Sequence, residues 1–103
     1  MSISVQTTQR DDVACIICGG EVDVSNAGEL RDALDAALAK KPAGIEVDVT
    51  DVSYIDSTGI GVLVGAAHHA KDAGLFLKVL HPQKNVARVL NLLGVTDDLG
   101  VEE

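Results

Sequence analysis

The chain reads as an α/β domain, a mixed sheet of four to five strands covered by about three helices, within 103 residues. Three observations predict this. Short runs of Val, Ile and Leu alternate with longer stretches whose apolar residues recur every three to four positions. From Val13 onward a strand-like run is repeatedly followed by a helix-like one, as when helices cover a sheet with parallel pairs. The length suffices for one two-layer core, so residues 1–103 are expected to form a single domain.

The elements follow in order. Ile3, Val5 and Thr7 alternate with Ser4, Gln6 and Thr8, the pattern of a half-exposed strand. Arg10-Asp11-Asp12 is a turn, and Val13 to Cys18 is an apolar, central strand that Gly19-Gly20 should end. Ser25 or Asn26 can cap a first helix, with Glu29 placed to close a capping box from Asn26. Ala27, Leu30, Leu34, Ala37 and Leu38 make its apolar stripe, and Lys40-Lys41-Pro42 stops it. Ile45, Val47 and Val49 alternate with Glu46 and Asp48 in a third strand.

A second helix should run from Ser57 to about Ala73, closed by Gly74. Ile60, Leu63, Val64 and Ala67 are its core stripe. The face with Thr58, Val62, Gly65, Ala66 and His69 is small and almost uncharged, suited equally to a docking partner or to close helix packing. Leu75 to Leu80 is a fourth strand. Pro82 precedes a third helix with Val86, Val89, Leu90 and Leu93 facing inward, ended by Gly94, and an edge strand is expected at Leu99 to Val101.

Composition narrows the classes of function. Apolar residues make up 47% of the chain but aromatics only Tyr54 and Phe76, so the core must be aliphatic. Ser4, Gln6, Arg10 and Asp11 interrupt any signal-peptide run, and Ile60 to Ala67 is too short to span a bilayer, so a cytoplasmic domain is expected. Sixteen acidic residues against eight basic ones speak against nucleic acid and anionic membranes as partners. They would favour a partner with a basic docking surface, although ordinary acidic solubility explains them as well. Cys15 and Cys18 form a C-x-x-C, but strand residues three apart point to opposite faces and no second pair completes a metal site. They are expected to pack as small thiols.

The segment Tyr54-Ile55-Asp56-Ser57-Thr58-Gly59-Ile60-Gly61 concentrates the remaining chemistry. A strand-like approach ends in an acid, two hydroxyls and a glycine where a helix begins, at or beside the N-cap. Ser57 can then be a nucleophile, a cap or a phosphate acceptor. The first role needs a base. His68 and His69 lie about three turns along the same helix, roughly 15 Å away, and nothing singles out His81. D-S-T-G is also not the G-x-S-x-G of hydrolases. As a cap, Ser57 would contribute on the order of 1 kcal/mol. As an acceptor, it would gain about −1.5 to −2 charges at a helix end that tolerates them, beside Asp56 and Asp23 in a surface that a partner could use. The chain has no P-loop or kinase glycine loop, so the phosphate would come from another protein.

Asp51-Val52-Ser53-Tyr54-Ile55-Asp56-Ser57-Thr58-Gly59-Ile60-Gly61-Val62-Leu63 resembles the signature of bacterial STAS-domain anti-sigma factor antagonists. Gly20-Glu21-Val22-Asp23 resembles the family's first loop, and Lys84 to Leu90 with Gly94 its third helix, so the likeness spans nearly the whole chain. The resemblance implies a STAS fold and a non-enzymatic switch with no cofactor. Its partners would be an anti-sigma factor that is itself a serine kinase and a PP2C-type phosphatase. Ser57, directly after the aspartate, would be phosphorylated. Asp23, Asn26, Asp56, Thr58, Gly59 and Val62 would belong to the partner-binding surface. The unphosphorylated form would hold the anti-sigma factor and free the sigma factor.

Two departures stand out. Family members often carry a further helix after the last strand, which the chain to Glu103 does not accommodate, and Thr58 is a second hydroxyl beside the first. The same fold also serves anion transporters, disfavoured here for want of a preceding membrane segment. A constitutive scaffold of a stress-signalling or lipid-transport complex, with Ser57 as a plain cap, is the alternative.

Overall fold

The elements run β1 (Ile3–Arg10), β2 (Val13–Val22), α1 (Ala27–Ala39), β3 (Gly44–Ile55), α2 (Ser57–Asp72), β4 (Phe76–Leu80) and α3 (Lys84–Leu92). They come from a computed structural model that describes residues 2–103. Among these residues the sheet has four strands in the order β1-β2-β3-β4. β1 and β2 form an antiparallel hairpin, whereas β2–β3 and β3–β4 are parallel. The hairpin turns through Asp11 at φ 54°, a left-handed conformation that aspartate tolerates because its short side chain can bond locally. The parallel pairs need crossovers, which α1 and α2 supply. The architecture is thus the mixed α/β one read from the sequence.

Alternation along the strands builds the core. Ala14, Ile16 and Cys18 of β2 and Ile45, Val47 and Val49 of β3 are buried. Leu30 and Leu34 of α1, Leu63 of α2, Val79 of β4 and Leu90 of α3 join them with almost no exposure. Cys15, Ile17, Glu46 and Asp48 fall on the opposite face and are only partly covered or exposed. The two cysteines therefore diverge as expected. Burial pushes the Cys18 thiol up to about 11.

Several boundaries differ from the sequence reading. Gly19-Gly20 does not end β2. The strand continues to Val22 through register irregularities at both sides of this pair, with Gly20 at φ 92° where its backbone passes against Ser2. The glycines make a bulge, not a stop. β3 is likewise one strand from Gly44 to Ile55, although its alternation breaks after Val49. In α3, Val86 and Leu90 face inward, but Val89 is 37% and Leu93 54% exposed, because this nine-residue helix covers the sheet along a narrow line.

The expected edge strand at Leu99–Val101 reduces to one parallel bridge between Leu80 and Glu102. Val79 N–H donates to the Leu99 carbonyl at 3.0 Å, and Glu102 N–H donates to the Val79 carbonyl at 2.9 Å. Leu99 itself is fully buried, so the tail is held as much by packing as by the ladder.

Candidate functional site

β3 delivers the chain to the site and α2 takes it away. Ile55 is buried at the strand end, Asp56 has extended backbone (φ −96°, ψ −178°), and helical geometry starts at Ser57. The cap is therefore Asp56, not Ser57. Its Oδ1 accepts the Gly59 N–H at 3.0 Å, and the first helical bond runs from Ile60 N–H to the Asp56 carbonyl at 3.0 Å. Ser57 occupies the first helical position and is exposed. Its own N–H and that of Thr58 precede the first helical bond, which leaves positive dipole ends beside the hydroxyl.

A second loop is tied to this turn. Asp56 N–H donates to the Val22 carbonyl at 3.0 Å, continuing the β2–β3 pairing one residue beyond the strand. Asp56 Oδ2 accepts the Val24 N–H at 3.1 Å. Both carboxylate oxygens are thus engaged, one in its own helix and one in the β2–α1 loop. The two segments form one rigid platform.

The loop has its own frame. Asn26 is the N-cap residue of α1 but makes no side-chain cap bond, so the capping box with Glu29 does not form. The Asn26 side chain turns back instead. It accepts the Asp23 N–H at 2.9 Å and donates to the Glu21 carbonyl at 2.8 Å, and the residue is buried. Asp23 Oδ1 accepts the Ser25 N–H at 2.9 Å and the Ser25 hydroxyl at 2.5 Å. The Ser25 hydroxyl bond, helped by the backbone N–H groups of Ser25 and Asn26, holds the Asp23 carboxyl below its ordinary value. Asn26 therefore shapes the loop from within, while Asp23 shows its charge on the surface.

Gly59 is required by close approach. A Cβ there would stand 2.7 Å from Val22 Cγ1 and 2.8 Å from Ile55 Cγ1, so α2 rests directly on the ends of β2 and β3. Thr58 is half-buried beside it. Val62, one turn on, is 9% exposed, and Ala66 below it is buried. The smooth face of α2 is thus divided. Part packs toward α1, and the rest opens into a groove of about 300 Å³ whose lining includes Arg31, Thr58, Val62, Gly65 and His69.

The structure brings Asp23, Asp56, Ser57, Thr58 and Gly59 together at one end of the sheet, with Val62 leading into the groove and Asn26 beneath the loop. Val24 was missed by the sequence reading. It is 76% exposed at the crown of the tied loop, and an apolar residue between two polar ones in a loop was the available signal. Arg31 at the groove was also missed, because its meeting with the face that carries His69 depends on how α1 crosses α2.

The histidines stand away from Ser57. His68 and His69 lie near the far end of α2. His81 follows β4, which meets β3 over Gly44–Asp48 and so stops well short of the end of β3 that carries Ser57. Among the described residues, no three His, Cys, Asp or Glu side chains gather as a metal site.

Comparison with known proteins bears on the family and the fold. The model of the STAS domain matches residues 4–103. The anti-sigma-B factor antagonist of Bacillus subtilis is 34% identical over 101 residues, covering 98% of this chain and 92% of that one. A crystal structure of an anti-sigma factor antagonist from Mycobacterium paratuberculosis superposes with a TM-score of 0.89 at 23% identity, covering 97% of this chain and 85% of that one. The Bacillus cell fate determinant SpoIIAA, solved in its phosphorylated form, shares the fold with a TM-score of 0.75 at 18% identity, over 97% and 92% of the two chains.

Proposed function

The chain belongs to the STAS-domain family of anti-sigma factor antagonists, and we propose that phosphorylation at Ser57 switches its hold on an anti-sigma factor. In this reading the protein is a regulatory binding partner rather than an enzyme, acting in the cytoplasm. Unmodified, it docks on an anti-sigma factor that is also a serine kinase, and the sigma factor is released. The kinase transfers the γ-phosphoryl group of ATP to Ser57 Oγ, the hydroxyl proton passes to a base on the kinase, and ADP leaves. A PP2C-type phosphatase hydrolyses the ester and restores the unmodified surface.

One observation carries the reading. Ser57 is exposed at the first position of α2, on a platform whose neighbouring acid, Asp56, is wholly engaged in holding two segments together. A phosphate there meets free helix amides, so the fold tolerates it. To a docked partner it adds about −1.5 to −2 charges beside Asp23 and Asp56. The modification changes charge without needing to change shape. Thr58, half-buried beside Gly59, offers its hydroxyl less freely.

The docking surface in this reading is Asp23 with the exposed Val24 above the buried Asn26, then Asp56, Thr58, Gly59 and Val62 beside the α1–α2 groove. Incubation with the cognate kinase and ATP, followed by phosphopeptide mapping, is the test. Label confined to Ser57, and lost in Ser57→Ala, is the expected result. Label elsewhere, or none, would overturn the mechanism while leaving family membership intact.

A further inference from the structure

The outer edge of the sheet presents unpaired backbone along β1, whose Ser2–Ile3 end shares a groove with Ser25 and Asn26 of the β2–α1 loop. β1 is an edge strand of eight residues, and its pairing with β2 runs from Ile3 to Arg10 without a register shift. The hydrogen bond from Glu21 N–H to the Ser2 carbonyl sets the phase of that ladder. Ser4, Gln6, Thr8 and Arg10 exchange bonds with β2, while Ile3, Val5, Thr7 and Gln9 aim their N–H and C=O groups outward. β1 contains no proline, lysine or bulge, the usual devices that blunt an edge.

Its charge is equally unusual for this molecule. All 16 acidic residues lie after residue 10, so the edge strand carries only Arg10 in a chain of net charge −8. A second copy approaching along β1 itself meets no acidic side chain of that strand.

We infer that β1 pairs antiparallel with β1 of a second copy of this chain, joining two sheets into one across a two-fold axis at Gln6. That register opposes Ile3 to the partner's Gln9 and Val5 to the partner's Thr7, so all four outward residues in each copy both donate and accept. It also covers Ile3 and Val5, which are only half-buried in one copy.

Charge on the flanking helix selects this direction. Glu29 and Asp32 of α1 lie with Ser2 and Ile3 along one groove, and Lys40 lies with Thr7 and Gln9 along another. Antiparallel pairing sets the acidic start of one α1 toward the partner's Lys40. Parallel pairing would set like against like.

Sedimentation of the full chain up to millimolar concentration, with and without Thr7→Pro, tests the proposal. Thr7 N–H points away from β2, so proline there spares the hairpin but removes a bond from each copy. The expected result is a dimer weakened about tenfold or more, with an unchanged circular dichroism spectrum. As a check independent of proline tolerance, Gln6→Cys in a Cys15→Ser background should cross-link to itself on oxidation, because residue 6 faces its own copy at a close non-hydrogen-bonded position. Thr8→Cys in the same background faces the partner's Ser4 and should not. A monomer at all concentrations, a dimer indifferent to Thr7→Pro, or equal cross-linking by both cysteines would overturn it. None of these outcomes bears on phosphorylation at Ser57.

Discussion

The carboxylate of Asp56 reaches across the end of the sheet to the backbone N–H of Val24, 3.1 Å away and 32 residues earlier in the chain. The other oxygen of the same carboxylate caps α2 through Gly59. One side chain therefore fixes where the helix starts and where the neighbouring loop sits.

Replacing Asp56 with alanine should cost about 1–3 kcal/mol, the loss of a helix cap together with a cross-loop bond. Asp56→Asn should restore the Gly59 bond but present an amide N–H₂ to the Val24 N–H. Urea denaturation would rank wild type above Asn and Asn above Ala. Amide exchange at Val24 should quicken in both variants, and equal protection would show that Asp56 is a cap alone.

Ser57→Asp should fold as well as wild type, because an acid in the first turn of a helix is favourable by about 0.3–1 kcal/mol. Its affinity for the anti-sigma factor should fall at least tenfold, as calorimetric titration would register. Tight binding by a fully folded Ser57→Asp would remove charge as the basis of the switch.

The glycines of α2 should separate cleanly. Gly59→Ala drives a methyl into Val22 and Ile55 and should destabilise by about 1–3 kcal/mol. A Cβ at Gly61 meets nothing within 4 Å, so Gly61→Ala should stabilise by roughly 0.5–1 kcal/mol through helix propensity. Thermal melts of the two variants should move in opposite directions.

Cys18 gives a dependence on pH. Its thiol is raised by burial from the ordinary value of 9.0 to about 11, so the folded state favours the protonated form. That contribution is complete below pH 9 and is lost as pH rises through the folded value near 11. Stability measured between these limits should decline with pH, and Cys18→Ala should flatten that part of the decline. In the native protein near neutral pH, a thiol reagent should label Cys15, which is partly exposed, well before Cys18.

The overall layering was legible because the aliphatic periodicities of β2, α1, β3 and α2 agree with one another. Local punctuation was less so. Gly19-Gly20 has the composition of a stop, yet a bulge uses the same residues, and only pairing with β3 distinguishes them. Asp56 and Ser57 are both good caps in isolation, and the choice fell to Asp56 because its second oxygen finds Val24, a partner no local pattern reveals. Asn26 repeats the lesson. Its side chain bonds Asp23 and Glu21 rather than its own helix, since the loop offered it two backbone partners. Val89 and Leu93 fitted an inward stripe by spacing, but a nine-residue helix crossing a narrow sheet buries less than its pattern offers.

The missing side chain at Gly59 lets α2 rest on Val22 and Ile55 without a spacer. The height of Ser57 above the sheet is consequently a dimension of the core, dictated by two buried aliphatic residues. The rim, by contrast, is made of Val24 and Thr58, side chains that can be exchanged without disturbing that dimension. A lineage built on this frame can rewrite the rim that a partner would meet, while Ser57 stays at the same address.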